Sequence, residues 1–495
     1  MKIKRYSILI ACFIVCFGIG AGQSVSAGGG EFKITEDSLP NGLKVIVAEN
    51  HSVPVLAAYL CFRTGSVNET PGTTGVSHLL EHLMFKGTDV IGTKNYEEEK
   101  PVLDRLDHLW VQLDDERGRP ELLRDNAKIG RLQKEIEILN EKENQLIIRE
   151  ELTRIYERNG GANLNGMTSK DGTYYLCSLP ANRLELWALI QSEQLLHPVF
   201  REFYQERSVV LNEQNLSEDD PYSAMGDILY STAFEAHPYR TPIGGWKSDI
   251  ERIGKKAVEE HFSKFYAPNN AFIVIVGDVT FENAMAMVKK YFGRIPKGPE
   301  PPAVTTVEPR QKGEKRVEAD FDVEPYLLIG YHKPEYANED QTALEIISEL
   351  LTGGDTSMLA GKLVQEKTMC ADISSDSGAL KFPDLFVISA SVIPDYTAQD
   401  VEGAIYEEIE KLKNEPVSAT ELKKVKERLT AGFKMSFRTN EGIADMLSEF
   451  EFNSTWRFVN QYEQKLSEVT PGLIQQVARK YFTKENRTVV FTSSE

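Results

Sequence analysis

The run His78-Leu79-Leu80-Glu81-His82 holds the residue types and spacing in this 495-residue chain that point most directly to chemistry. On a helix, positions i and i+4 share a face, so both imidazoles can reach one ion. Glu81 lies beside them and can hold a water and take its proton. The order inverts the commoner His-Glu-x-x-His zinc signature. A zinc site that works on a substrate needs a third protein ligand and one open position. The acidic segment REFYQERSVVLNEQNLSEDD supplies candidates. Glu206 and Glu213 are seven apart, two helical turns, and share a face. One carboxylate can ligate while the other orients a histidine. Spacing alone leaves open which does which. Glu218, Asp219 and Asp220 read as an exposed acidic face.

These residues need elements to hold them. The segment VSHLLEHLMF has no Pro or Gly and is apolar between the two histidines, as a buried helix should be. Thr73, Thr74 or Ser77 could cap its start. Strand-like runs such as LKVIVAEN, VLAAYLCF, YYLCSL, YLLIGYH and LFVISASV alternate with long helical patterns along the whole chain. The stretch 293–315 is rich in Pro, Gly and charge and reads as a linker. The parts on either side of it echo each other. Lys264-Phe265-Tyr266 precedes Asn270 and an apolar run, and Lys480-Tyr481-Phe482 precedes Asn486 and another, with the same Lys-to-Asn spacing. The expected fold is therefore α+β: two domains, each a largely antiparallel sheet with helices packed on it.

One segment interrupts the first half. From about Tyr96 to Tyr156 the chain is dense in Glu, Lys, Arg and Leu, with Leu103, Leu106, Trp110 and Leu113 at helical spacing. Arg117-Gly118-Arg119-Pro120 breaks the pattern, and Leu132, Ile136, Leu139 and Leu146 resume it. This predicts a coiled-coil-like hairpin of two antiparallel helices projecting from the domain, with His108 a solvated residue within it.

Composition narrows the function class. The net charge is −19, which argues against non-specific nucleic-acid binding. Lys2, Lys4 and Arg5, the apolar run Ile8 to Gly20 and the small residues Val25-Ser26-Ala27 read as an export signal over 1–27. The apolar run is shorter than a spanning helix requires, so no stable membrane span is expected after cleavage. Export implies a periplasmic or extracellular protein. Cys61, Cys177 and Cys370 remain, an odd number at wide spacing, which predicts buried free thiols and no disulfide framework.

The run GVSHLLEHLMFKGT resembles the active-site helix of the pitrilysin/insulinase family of zinc peptidases, which includes insulin-degrading enzyme and mitochondrial processing peptidase. GGANLNGMTSKDGTYYLCSLP is similar to the family's strand beside the metal, and Glu206 with Glu213 matches its Glu-x6-Glu helix. HPYRTPIGGW and YAPNNAFIVIVGDV also fit. The resemblance spans nearly all of the chain after residue 27. It implies two homologous domains closing like a clam shell: a zinc-binding peptidase domain over 31–295, with the hairpin inserted at 97–157, a linker over 296–315, and a C-terminal homologue over 316–495. It implies one Zn2+ per chain, with Glu213 as third ligand beside His78 and His82, Glu206 orienting a histidine, and Glu81 as general base. Asn165 and Gly166 fall where the family binds peptide backbone, a mode in which an extended peptide adds as a strand. His197, His237, His261 and His332 are expected to be structural.

Two departures stand out. Glu213 follows His82 at more than the family's usual distance, which the hairpin explains if its ends lie close together. In the second half the family often carries an Arg and a Tyr that clamp the substrate carbonyl, and Val364 and Ala371 occupy those places. The expectation is a zinc-dependent endopeptidase or oligopeptidase acting on extended peptides, working with a homologous second subunit that carries the Arg–Tyr pair. The rival is a non-catalytic, zinc-stabilised peptide-binding subunit of a heterodimeric peptidase. A scaffold whose hairpin is the working part would need neither Asn165 nor Glu206.

Overall fold

The computed structural model describes residues 23–27 and 30–492, with side chains from 33 onward. The expected signal at 1–27 lies outside the described residues, except for the strand at its end. Among the described residues, no helix is long and apolar enough to cross a membrane.

Among the described residues, twelve strands form two sheets. The first comprises β1 (Gln23–Ala27), β2 (Gly30–Ser38), β3 (Lys44–Glu49), β4 (Val55–Phe62), β5 (Ala162–Thr168), β6 (Thr173–Pro180) and β7 (Ala271–Gly277), in the order β1-β2-β3-β7-β4-β6-β5. The second comprises β8 (Lys315–Ala319), β9 (Tyr326–Lys333), β10 (Cys370–Asp376), β11 (Asp384–Val392) and β12 (Arg487–Thr492), in the order β10-β11-β9-β12-β8. Leaving out β1 and β2, the two orders are the same when strands are counted along each half. In both, the first and last strands pair in parallel and every other pair is antiparallel. The sequence echo has a physical role in both halves. Asn270 Nδ2 donates to Phe265 O (2.9 Å) and Arg63 O (3.4 Å), tying a helix end to the end of β4. Asn486 Nδ2 donates to Tyr481 O (2.8 Å) and His332 O (2.7 Å), tying the matching helix to β9.

Central strands such as β4 and β7 are buried on both faces, which is why they read as unbroken apolar runs. In the first half the helices include α1 (Val76–Met84), α2 (Tyr96–Arg117), α3 (Asn126–Leu146), α4 (Glu151–Arg158), α5 (Leu184–Leu196), α6 (Phe203–Asp219) and α7 (Pro221–Ala233), followed by Lys247–Ile250, Lys255–Phe265 and Phe281–Phe292. One face of the first sheet, with Val45, Leu60 and Ile273, packs against α1, α5 and α6 through Leu79, Leu80, Trp187 and Val210. The opposite face, with Tyr59, Phe272 and Val274, is covered by Ile443, Ala444 and Leu447 from the second half. The second sheet is covered in turn by Met225, Leu229 and Ala233 of α7 from the first. Each half thus lends a helix to the other's sheet, and two apolar seams join them.

The hairpin consists of α2 and α3, whose seam is made by Val102, Leu106, Leu109 and Leu113 against Leu132 and Ile136. Its ends do lie together: Lys94 N donates to Leu146 O (2.8 Å) and Ile148 N to Gly92 O (2.9 Å). Two features differ from the sequence reading. The pattern runs on past the hairpin into α4, but Leu152 and Tyr156 of α4 belong to the main core. The hairpin is also docked along α6 and does not stand free. Trp110 stacks on Tyr204 at 4.6 Å, and Arg207 Nη1 stands 2.8 Å from Asp114 Oδ2. At its base, Arg201 and Glu99 form an ion pair at 2.8 Å with both side chains buried. Removing one member of such a pair leaves an uncompensated charge in the core. Glu99→Ala is expected to lower unfolding free energy by about 3–5 kcal/mol in urea titrations. A loss below about 1 kcal/mol would show that the three carbonyls around Arg201 suffice without Glu99.

Candidate metal centre

α1 carries His78, Glu81 and His82, and its start differs from the expectation. The N-cap is Gly75, at φ 88, with no side chain of its own to cap. Neither Thr73, Thr74 nor Ser77 supplies the cap. Glu69 reaches in from the preceding loop and accepts hydrogen bonds from Gly75 N (2.7 Å) and Ser77 N (2.8 Å). A carboxylate suits the positive end of a helix. Thr74 turns to Asp249 instead (2.7 Å). Burial pushes the Glu69 carboxyl up to about 7 against these bonds.

α6 lies against α1 and brings its carboxylates to the histidines. Glu213 Oε2 stands 3.7 Å from His78 Nε2 and 3.4 Å from His82 Nε2. One ligand atom from each of the three residues lies within 4.8 Å of the others. Glu206 takes the other side of His82, with Oε2 3.4 Å from Nδ1. A proton on Nδ1 directed at Glu206 leaves the Nε2 lone pair facing Glu213. Lys86 holds Glu206 from behind at 2.6 Å. Two imidazoles and a carboxylate converging from two helices are a donor set that suits zinc.

The electrostatics follow from packing. Burial, then the neighbouring His82, brings His78 down to about 4, so its ring is neutral near pH 7. Burial works to lower His82 as well, but Glu206 and the charges of Glu213 and Glu81 outweigh it and raise it. Glu81 is raised by burial, against the bond from Thr168 and the charge of His82. Burial also opposes Glu206, yet His82 and Lys86 hold it below the usual carboxylate range.

β5 forms the wall beside Glu81. Thr168 Oγ1 donates to Glu81 Oε2 (3.0 Å). Gly166 packs so closely that a Cβ there would come 2.6 Å from Glu81 Oε1. Asn165 is exposed on the same strand, which is the last in its sheet. Thr168, Lys86 and Glu69 were not found by sequence reasoning. Lys86 falls four residues after His82, the one local signal among them. The four histidines expected to be structural sit outside this ligand set. His261 Nε2 faces Ser77 Oγ (3.3 Å), His332 Nε2 faces Ala233 O (3.2 Å), His237 Nδ1 accepts from Tyr239 N (3.3 Å), and His197 is half-exposed beside Asp89 and Glu193. Cys61, Cys177 and Cys370 are free and buried.

The second half has a matching helix, Gln341–Thr352, in which Ala343, Leu344, Ile346, Ile347, Leu350 and Leu351 are buried as Val76, Ser77, Leu79, Leu80, Leu83 and Met84 are in α1. In this register Glu345, Ser348 and Glu349 stand where His78, Glu81 and His82 do. Ser348 Oγ donates to Ser375 O of β10 (2.8 Å), as Glu81 meets Thr168 of β5. Glu349 Oε2 stands 2.5 Å from Arg428 Nη2. Val364 is partly packed against the second core, and Ala371 is exposed on β10.

Residues 44–100 match the model described as insulinase (peptidase family M16), and residues 252–429 match that described as the peptidase M16 inactive domain. The chain is 27% identical over 466 residues to the zinc protease PqqE of Helicobacter pylori, covering 92% of this chain and 91% of that protein. A crystal structure of a protease from Helicobacter pylori superposes with a TM-score of 0.78 at 25% identity, covering 94% of this chain and all of that one. The periplasmic protease PqqL from Escherichia coli superposes with a TM-score of 0.69 at 16% identity, and the match covers 93% of this chain but 48% of PqqL. The chain thus carries matches to two domains of the insulinase/pitrilysin (M16) peptidase family, and its two-sheet fold and these relatives agree with that resemblance.

Proposed function

We propose that this chain is a zinc-dependent peptidase that hydrolyses extended peptides or unfolded segments. The observation that carries the reading is the convergence of His78, His82 and Glu213 with Glu81 beside them. His78, His82 and Glu213 would hold one zinc ion, with Glu206 fixing the orientation of His82. Zinc in such a site supplies Lewis-acid polarisation of the scissile carbonyl and acidifies water. Glu81 takes the proton of the attacking water and passes it to the leaving amine. Thr168 fixes one oxygen of Glu81 during this transfer. The free edge of β5 suits a peptide that adds as a further strand, with Asn165 and Gly166 along it. Chelation of the purified chain should abolish peptide hydrolysis and zinc should restore it.

Gly166 gives this reading a steric test. Gly166→Ala is expected to displace β5 or Glu81 and lower turnover by roughly 10- to 100-fold, since a shift of about 1 Å at a catalytic group has effects of that order. Zinc content should be unchanged, because no proposed ligand lies on β5. Parent-level turnover in the alanine variant would show that Glu81 does not work from this position.

We further propose that the chain works with a second, homologous unit. Neither Val364 nor Ala371 has a side chain able to donate to a developing oxyanion, and such donors are usually a large catalytic term. Lys362, two residues before Val364, is engaged by Glu408, which leaves Lys367, four residues before Ala371, as the other cation near these places. PqqL offers a parallel, since a fold of this size makes up about half of that chain. Steady-state kinetics on the isolated, zinc-loaded chain should show slow cleavage that a homologue carrying the Arg–Tyr pair accelerates. Efficient turnover alone, unaffected by the homologue, would remove the need for a partner. The description of PqqL as periplasmic supports the same compartment here, reached by cleavage after residue 27. N-terminal sequencing of the exported protein tests that cleavage.

A further inference from the structure

The strand beside Glu81 is gripped by the opposite half of the molecule. β5 and β6 are joined by a turn over Ser169–Gly172. Within it, Asp171 is buried and its Oδ2 accepts two hydrogen bonds, from Tyr239 Oη (2.6 Å) and from Lys381 N (3.0 Å). Tyr239 belongs to the first half, and Lys381 to the loop between β10 and β11 in the second. Phe382 N, next in that loop, donates to Tyr239 Oη (3.1 Å) and closes the ring of contacts. Lys170 Nζ donates to Tyr239 O (2.9 Å) and Thr241 O (3.2 Å). On the other side, Gly172 lies against Phe452 so closely that a Cβ would come 2.3 Å from its ring. A loop and a helix of the second half thus hold one turn of the first.

The division of labour around the metal centre gives this grip a consequence. His78 and His82 ride on α1 and Glu213 on α6, so the ligands do not depend on β5. What rides on β5 is Gly166, Asn165 and the Thr168 hydroxyl that fixes Glu81. Among the described residues β5 is an edge strand with β6 as its one neighbour, and its register shifts between Ala162 and Asn165. Asn163 in that stretch has φ 52. The regular pairing of β5 runs from Asn165 to Thr168, next to the gripped turn.

Resting on the peptidase reading above, we infer that Asp171 is a positioning residue. Through it, residues 377–383 of the second half hold the β5 edge in place for peptide and the Thr168 hydroxyl against Glu81. The half without metal ligands thereby takes part in peptide binding without touching the metal.

The test separates positioning from general stability. Full-length chain is zinc-loaded in a Glu81→Gln background to stop turnover. Binding of an unstructured, fluorescein-labelled β-casein peptide is measured by anisotropy, with zinc content and hydrogen exchange of the β5 amides alongside. Asp171→Ala should weaken peptide binding by about tenfold or more, the scale for losing hydrogen bonds to a buried charged acceptor. It should speed exchange in β5 and leave zinc content unchanged. Asp171→Asn keeps an acceptor oxygen and should restore binding to within about threefold. If the alanine variant does not fold, Tyr239→Phe removes one of the two bonds and should shift binding and exchange the same way. Unchanged β5 exchange and peptide affinity in a folded variant would overturn the inference, as would parallel loss of zinc and peptide. Failure of the peptidase reading shows separately, as a parent chain that neither binds nor cleaves the peptide. The exchange measurement then still decides whether Asp171 holds β5.

Discussion

Glu81→Gln is expected to leave zinc bound and to lower peptide hydrolysis by about 10²-fold or more, the usual scale for losing general-base catalysis. The substitution keeps the side chain's shape and its acceptor for Thr168 Oγ1. It leaves His78, His82 and Glu213 intact. What it removes is a carboxylate able to take a proton. Because burial raises the Glu81 carboxyl, its proton affinity lies closer to neutrality than that of an exposed glutamate. Hydrolysis at the parent rate by zinc-loaded Glu81→Gln would mean that another group takes the proton.

The second large effect concerns the two carboxylates of α6. Glu213→Gln should lower zinc affinity sharply, because it replaces the charged oxygen that faces both histidines. Glu206→Gln should act less on affinity and more on activity, by about 10- to 100-fold in one or the other. Its contact is with His82 Nδ1, the nitrogen turned away from Glu213. Metal content after dialysis against a graded chelator series ranks the two. If Glu206→Gln loses zinc first, the roles assigned to the two residues must be exchanged.

What the sequence could reveal follows from how local each feature is. His78 and His82 could be paired because helix geometry fixes the relation of residues four apart, and Glu206 and Glu213 because two turns separate them. The division of roles on α6 was not legible, since it depends on how α6 crosses α1. Asn270 and Asn486 betrayed the duplication because each caps a helix at a fixed offset. Glu69, Thr168 and Asp171 were invisible because each acts on a group that no short period relates to it. The hairpin was legible as two helices from its leucine spacing, but its limit was misplaced. Leu152 and Tyr156 continue an apolar helical pattern while packing into a different core. The exchange of helices between the halves was hidden for a similar reason. Ile443 and Leu229 look like the inner faces of ordinary helices, and nothing in their spacing says which sheet they cover.

The most direct test of the central claim is metal analysis of the purified chain, with peptide hydrolysis followed through chelation and zinc re-addition. One zinc per chain is predicted, with hydrolysis that disappears when the metal is stripped and returns when zinc is restored. A folded chain that binds no zinc, or hydrolysis that survives complete chelation, would contradict the account.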